Sequence, residues 1–237
     1  MRKNVLITGG AKGIGAACAM EFARNGYDVI ITYLTSEHKA FNLKKKIEKL
    51  FGVNVYLFKV DITKEKDIIN MINNITKDFK SIDVLINNAA YAMDNNYLDK
   101  TKEEFMRVLE VNVVGTFLVT KHLVKYMNNG TVINISSTDA TSTYNELSMD
   151  YCASKAGVNS LTQTFSMAIP NNRFISIMLP WVNTEAIKDM FPEYLESELK
   201  RTNQKRLLEP DEVAKEIYIL LNCSDIKSGE VKILNVN

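Results

Sequence analysis

Residues 5–17 read VLITGGAKGIGAA and constrain the fold of this chain more than any other stretch. Val5, Leu6 and Ile7 form a short apolar, partly β-branched run suited to a strand buried on both faces. Gly9, Gly10, Gly13 and Gly15 follow, and then AACAMEFA alternates small and large apolar residues at helical spacing, which predicts a helix starting near Lys12. Strand, glycine turn and helix in that order aim backbone N–H groups and a positive helix end at a phosphate. The glycines let the backbone approach the anion and let the helix pack on the strand. The order is G-x-x-x-G-x-G behind Thr8, not G-x-G-x-x-G. Taken alone, it does not separate an anion site from a glycine-rich connection that binds nothing.

The remaining chain supplies a frame for that turn. Strands are predicted at 28–33, 54–61, 82–90, 131–137, 174–179 and 231–236. Helical patterns fill 37–51, 64–79, 101–127, 150–168, 184–200 and 210–222. This alternation predicts an α/β fold: a doubly wound parallel sheet of about seven strands between two helix layers, with one domain spanning 1–237. In such sheets ligands sit beyond the carboxyl ends of the strands. The polar residues do fall just after predicted strands: Gly9–Gly15, Tyr33–Ser36, Asp61, Asn87–Asn88, Ser136–Ser137 and Pro180–Thr184.

Several function classes are excluded by composition. Lys and Arg total 29 against 28 Asp and Glu, so no polybasic footprint for nucleic acid or anionic lipid is expected. The three cysteines lack C-x-x-C spacing, and the two histidines, His38 and His122, lie far apart, so no disulfide scaffold, metal site or Ser-His-Asp hydrolase is expected. No apolar run approaches the ~18 residues of a membrane span, and no leader pattern opens the sequence; a reduced, cytoplasmic setting is expected.

The second strand ends at Tyr33, where an acidic residue would bind the adenosine ribose hydroxyls and repel a 2′-phosphate. The nearest acid, Glu37, lies in the next helix. Lys12 sits in the glycine turn, where its ammonium either reaches a phosphate or faces solvent. Together these features point to NADP(H) over NAD(H). Asp61 is placed to serve the adenine amino group, and Asn88 and Ala89 to line the adenosine ribose.

Of ten tyrosines, Tyr151 alone has a lysine four residues on, Lys155, on the same helical face. Reduction of a carbonyl by hydride leaves an alkoxide that needs a proton as charge develops. A neighbouring ammonium favours phenolate and is expected to lower the tyrosine pKa. Lys155 is also placed to hold ribose hydroxyls. Ser137 offers a hydroxyl to the substrate oxygen, and Asn112, an amide within the long helix, is a candidate holder of a proton-relaying water.

Over nearly its whole length the sequence resembles a short-chain dehydrogenase/reductase. The matching pieces are TGGAKGIG (8–15), Asp61, NNAA (87–90), Asn112, ISS (135–137), YCASK (151–155), PWVNT (180–184) and KRLLEPDEVA (205–214). Within the family it is most similar to the 3-oxoacyl-(acyl-carrier-protein) reductases. That resemblance implies a Rossmann-type fold, NADPH, a homotetramer or homodimer, and a 3-oxoacyl thioester substrate, with the acyl carrier protein a candidate partner. It implies catalysis by Asn112, Ser137, Tyr151 and Lys155. It also implies cofactor contacts from Gly9, Lys12, Gly13, Ile14, Gly15, Tyr33, Asp61, Ile62, Asn88, Ala89, Tyr151, Lys155, Pro180, Val182 and Thr184. A reductase for another small ketone, sugar or alcohol, and an NADP(H)-sensing protein without turnover, are the competing readings.

The sequence departs from the family in informative places. The usual spacing would select Thr138 as the catalytic serine's equivalent, whereas alignment on the strand end selects Ser137. The glycine expected after Pro180 is Trp181. The 166–174 connection is short, leaving Arg173, with Lys121 and Lys125 on the long helix, as the basic residues for a carrier. The chain ends in NVN without the usual Asp-Gly-Gly. Substrate choice is expected in the 138–150 loop and a lid at about 181–205. Tyr91, Met93, Tyr144, Met149, Trp181 and Met190 are candidates to line an apolar pocket.

Overall fold

The computed structural model describes residues 2–188 and 190–234. Seven parallel strands form one sheet in the order β3-β2-β1-β4-β5-β6-β7. They are β1 (Asn4–Ile7), β2 (Asp28–Tyr33), β3 (Val55–Lys59), β4 (Val84–Asn87), β5 (Thr131–Ser137), β6 (Arg173–Leu179) and β7 (Glu230–Ile233). Strand periodicity divides β1 between two cores, which explains why its apolar run is unbroken. Val5 and Ile7 pack with Phe22, Ile47, Val213 and Ile217 from α1 (Gly13–Arg24), α2 (Glu37–Phe51) and α8 (Pro210–Asn222). Leu6 faces the other way, onto Ile68, Ile72 and Ile75 of α3 (Glu65–Asp78) and onto Val119 and Leu123.

The sheet runs outward in both directions from β1 and β4, which pair directly. Connections from these neighbours leave to opposite sides, and that opens a crevice beyond their carboxyl ends.

Two predicted helices are broken in the structure. The 101–127 region comprises α4 (Lys102–Leu109), a π-helical turn at Glu110–Gly115, α5 (Thr116–Leu123) and a 3-10 turn at Val124–Tyr126. Within the π turn Gly115 packs on Ile62, where a Cβ would come within 2.8 Å of Ile62 Cδ1. The 184–200 region becomes a 3-10 turn at Glu185–Ile187 and then α7 (Pro192–Arg201), because Pro192 has no N–H to continue an earlier helix. The predicted last strand starts one residue earlier and ends at Ile233; Asn235 and Val236, like the NVN end, lie outside the described residues. Among the described residues, no helix is long and apolar enough to cross a membrane.

Candidate active site

The glycine turn joins β1 to α1 as expected, and its geometry is specific. Gly9 has φ +62° and Gly13 φ +53°, a region costly for other residues. Lys12 precedes the helix in extended backbone. The α1 N-terminus has no side-chain cap bond and no acidic residue in its first turn. Its N–H groups are thus left for an anion. Asn88 braces the turn from β4: its amide donates to the Thr8 carbonyl at 3.0 Å and the Gly9 carbonyl at 3.2 Å. Thr8 Oγ1 in turn accepts from the Asn88 and Ala89 N–H groups.

A cleft of about 560 Å³ opens over this turn. Gly9, Lys12, Gly13, Ile14, Tyr33, Asp61, Ile62, Asn88, Ala89 and Thr184 all line it. Gly15 lies beneath it, where a Cβ would meet Asn88 Nδ2 at 2.6 Å and the Gly9 carbonyl at 2.7 Å. Tyr33 donates its hydroxyl to Glu37 at 3.0 Å, so the acid placed a helix away in the sequence is folded back beside it, although Glu37 does not line the cleft. Burial, then the hydrogen bond and charge of Glu37, push the Tyr33 hydroxyl pKa up. Asp61 accepts from the Thr63 N–H and hydroxyl. Burial opposes ionisation, but these bonds, with Lys64 and Arg107, hold the Asp61 carboxyl below its ordinary value. Sequence reasoning missed Arg107, a cation on the cleft wall contributed by α4, and the Lys39–Glu185 pair, at 2.5 Å, which joins α2 to the turn after β6.

A second cavity, of about 240 Å³, adjoins the first through the shared wall residues Ile14, Asn88, Ala90, Thr184 and Ala186. Tyr151 and Lys155, from α6 (Met149–Ala168), line it with Ser137, Thr138, Pro180 and Val182. The fold therefore brings the glycine turn and the Tyr/Lys pair into one continuous groove. Lys155 is buried (3% exposed), donates to the Ile135 carbonyl at 2.8 Å, and stands 5.3 Å from the Tyr151 ring centre. Burial pulls its pKa down to about 8.

One sequence expectation is corrected here, and a second residue proves to have protein partners. The Tyr151 pKa is raised, not lowered: burial dominates, and the charges of Asp139, Asp94 and Cys152 add to it. The amide of Asn112 is engaged by protein partners. It lines neither cavity, accepts from Tyr91 N–H at 2.8 Å, and donates to the Tyr91 carbonyl and Ser154 Oγ at 2.9 Å each.

The departures from the family pattern also acquire geometry. Positive φ outside glycine falls only at Asn129 and Asn203 among the described residues, so Trp181 occupies backbone that needs no glycine. Gln204 brackets Trp181, accepting from its N–H at 2.8 Å and donating to its carbonyl at 2.7 Å. Trp181 and Met190 line the smaller cavity and Tyr91 the larger cleft, but Tyr144 and Met149 line a separate surface hollow and Met93 lines neither groove. Sequence reasoning overlooked Asp94 and Asp139, which both face the smaller cavity. Arg173 is spent on the Cys223 and Leu221 carbonyls at the end of α8, and Lys121 on Glu65 at 2.8 Å. Among the described residues no group of three or more His, Cys, Asp and Glu side chains is arranged to hold a metal.

The family model for short chain dehydrogenases matches residues 3–194. The chain belongs to the short-chain dehydrogenase family. As such it is an oxidoreductase. It is 31% identical over 191 residues to an uncharacterized oxidoreductase of Thermotoga maritima, across 78% of this chain and 73% of that one. It is 32% identical over 167 residues to a 3-oxoacyl-(acyl-carrier-protein) reductase of Staphylococcus epidermidis, covering 69% and 68% of the two chains. A short chain dehydrogenase from Burkholderia cenocepacia, solved in complex with NADP, superimposes with a TM-score of 0.90 at 24% identity, covering 98% of this chain and 96% of that one.

Proposed function

We propose that this short-chain dehydrogenase uses NADPH to reduce a carbonyl to a secondary alcohol, with Tyr151 as proton donor. The observation that carries the reading is the continuity of the groove: an uncapped helix N-terminus at one end, and Tyr151 beside a buried lysine at the other. The glycine turn fits a dinucleotide, since at Gly15 even a methyl group would strike the turn it supports. Gly9, Gly13, Ile14 and Gly15 would cradle its pyrophosphate; Tyr33, Asp61, Ile62, Asn88 and Ala89 its adenosine half; and Lys155, Pro180, Val182 and Thr184 its nicotinamide half. When bound, the cofactor supplies the hydride. Ser137 orients the carbonyl oxygen, Tyr151 passes its phenolic proton to that oxygen, and the Lys155 ammonium offsets the charge left on the phenolate. The phenol is protonated at neutral pH, as a proton donor must be, while its raised pKa makes it a weaker acid that depends on the Lys155 ammonium as charge develops. Asn112 acts one step back, holding Tyr91 and Ser154.

Lys12 and Arg107 on the cleft wall, with a neutral Tyr33 at the end of β2, support a cofactor bearing the 2′-phosphate. Tyr33→Asp is expected to weaken NADPH binding by about tenfold or more through like-charge repulsion and to favour NADH. Unchanged cofactor preference in titrations with both would overturn the assignment. The depressed Lys155 pKa gives a second expectation. As pH rises through about 8 the ammonium is lost, so kcat/KM for reduction falls on the alkaline side. Lys155→Arg, which stays charged, should move that limb upward; a flat wild-type profile through alkaline pH would refute the role.

The similarity to a 3-oxoacyl-(acyl-carrier-protein) reductase supports a 3-oxoacyl thioester as substrate. The two carboxylates facing the catalytic cavity favour a second reading, a small polar ketone, sugar or alcohol whose own donors would meet Asp94 and Asp139. Arg173, held by carbonyls at the end of α8, is not free to dock an acidic carrier, whereas Lys121 and Lys125 remain exposed. NADPH oxidation followed with acetoacetyl-CoA, dihydroxyacetone and aminoacetone separates the two. Binding of NADPH with no turnover of any carbonyl would instead favour an NADP(H) sensor. The exposed apolar residues Met106 of α4, Val114 of the π turn and Phe117 of α5 support a homodimer or homotetramer, which sedimentation would test.

A further inference from the structure

Lys100 and Asp150 form an ion pair unlike the others in this protein. Nζ lies 2.7 Å from Asp150 Oδ2, with the two side chains 4% and 0% exposed; every other ion pair among the described residues has a partner at least a third open to water. Burying both charges forfeits their hydration, and apolar groups of similar volume would fill the same space without that loss. Stability alone is therefore a poor reason for the pair. What it supplies is a fixed geometry.

Both partners have second contacts that define this geometry. Lys100 also donates to the Met93 carbonyl at 2.6 Å, closing the β4–α4 connection on itself. Asp150 Oδ1 accepts from the Tyr151 N–H at 2.9 Å. The first-turn N–H groups of a helix lack intrahelical acceptors, and Ser148 at the start of α6 provides no side-chain cap. Asp150 supplies the missing acceptor to its own neighbour, Tyr151. On the other side, the Tyr151 carbonyl accepts from Ser154 Oγ at 2.7 Å, which itself accepts from the Asn112 amide. Tyr151 is thus bracketed at both its N–H and its carbonyl, and both brackets lead to the β4–α4 connection. That same connection places Asp94 on the cavity wall.

We propose that Lys100 and Asp150 are positioning residues: their buried ion pair latches the first turn of α6 to the β4–α4 connection and so fixes the approach of the Tyr151 phenol to the substrate carbonyl. The inference rests on Tyr151 being the proton donor. Displacement of a reacting group by about 1 Å is enough to cost on the order of 100-fold in rate.

The test compares Lys100→Met, Asp150→Asn, the double variant and Tyr151→Phe. It uses amide hydrogen exchange, melting temperature, NADPH affinity, and turnover of whichever of acetoacetyl-CoA, dihydroxyacetone and aminoacetone the wild type reduces. In Lys100→Met, exchange across 148–155 should accelerate about tenfold while 210–222 in α8 is unchanged. Its kcat should fall about 100-fold, with KM and NADPH affinity within about threefold. The double variant leaves no charge unpaired, so its melting temperature should return to within about 3 °C of wild type. Its kcat should nevertheless stay about tenfold low, because the latch is gone. If Lys100→Met does not fold, the double variant carries the test. Wild-type kcat in the double variant, or wild-type exchange at 148–155 in either, overturns the proposal. Turnover surviving in Tyr151→Phe would refute the proton-donor reading instead, and exchange would still judge the latch. If no carbonyl is reduced, exchange and melting decide.

Discussion

Tyr151→Phe is expected to lower kcat for carbonyl reduction by about 10³-fold, within the range that removal of a positioned general acid produces. NADPH affinity should stay within about threefold, since the change deletes one oxygen and leaves the ring in place. Among the described residues the Tyr151 hydroxyl has no hydrogen-bond partner within the protein, so its loss leaves no orphaned group behind. The melting temperature should stay level, because the half-buried Tyr151 lines the cavity and its hydroxyl has no protein hydrogen bond to lose. Lys155 would then face an apolar ring at 5.3 Å, still tied to the Ile135 carbonyl. Single-turnover measurement with bound NADPH isolates the chemical step. Residual kcat within tenfold of wild type would remove Tyr151 from the proton path and direct attention to Asp139, a carboxylic acid of the same cavity whose pKa burial pushes upward.

The same residue shows what the sequence carried and what it did not. A lysine four positions after a tyrosine requires only helical geometry, and the position of that helix behind β5 follows from strand order; both were legible. The sign of the Tyr151 pKa shift was not. It depends first on how deeply the fold buries the phenol, and then on how Asp139, from the turn after β5, and Asp94, from a loop 57 residues earlier in sequence, are brought to one cavity; no local pattern encodes either. The partners of Asn112 were hidden for a related reason. An amide inside an apolar helix signals a polar task, but its partners, Tyr91 and Ser154, are set by tertiary packing. The π turn that carries Asn112 is equally silent, since it is a single short turn inside a longer helical pattern and no residue type marks its i→i+5 bonding. The sheet was readable because a parallel strand buried on both faces is almost entirely apolar. The Lys100–Asp150 pair was unreadable because a lysine and an aspartate fifty residues apart look like two surface charges.

Gly15→Ala is expected to reduce NADPH affinity by roughly 10- to 100-fold, from an overpacking cost of about 1–3 kcal/mol at 1.36 kcal/mol per decade. The sign runs against helix propensity: Gly15 lies inside α1, where alanine normally favours the helix by up to about 1 kcal/mol. The new methyl, however, would sit 2.6 Å from Asn88 Nδ2, 2.7 Å from the Gly9 carbonyl and 2.9 Å from Gly10 Cα. The Asn88 amide can rotate away only by giving up its bonds to the Thr8 and Gly9 carbonyls, and the Gly9 and Gly10 atoms are backbone. The strain therefore falls on the turn whose N–H groups would hold the pyrophosphate. Gly26→Ala is the matched control. Gly26 has φ +82° and open space around it, so alanine there should cost about 1 kcal/mol of stability and leave NADPH affinity unchanged. Fluorescence titration with NADPH and thermal melts on both variants separate the effects. If Gly15→Ala binds NADPH as the wild type does, the turn does not hold the pyrophosphate. If both variants lose affinity in proportion to lost stability, the effect is general destabilisation and not the shape of the turn.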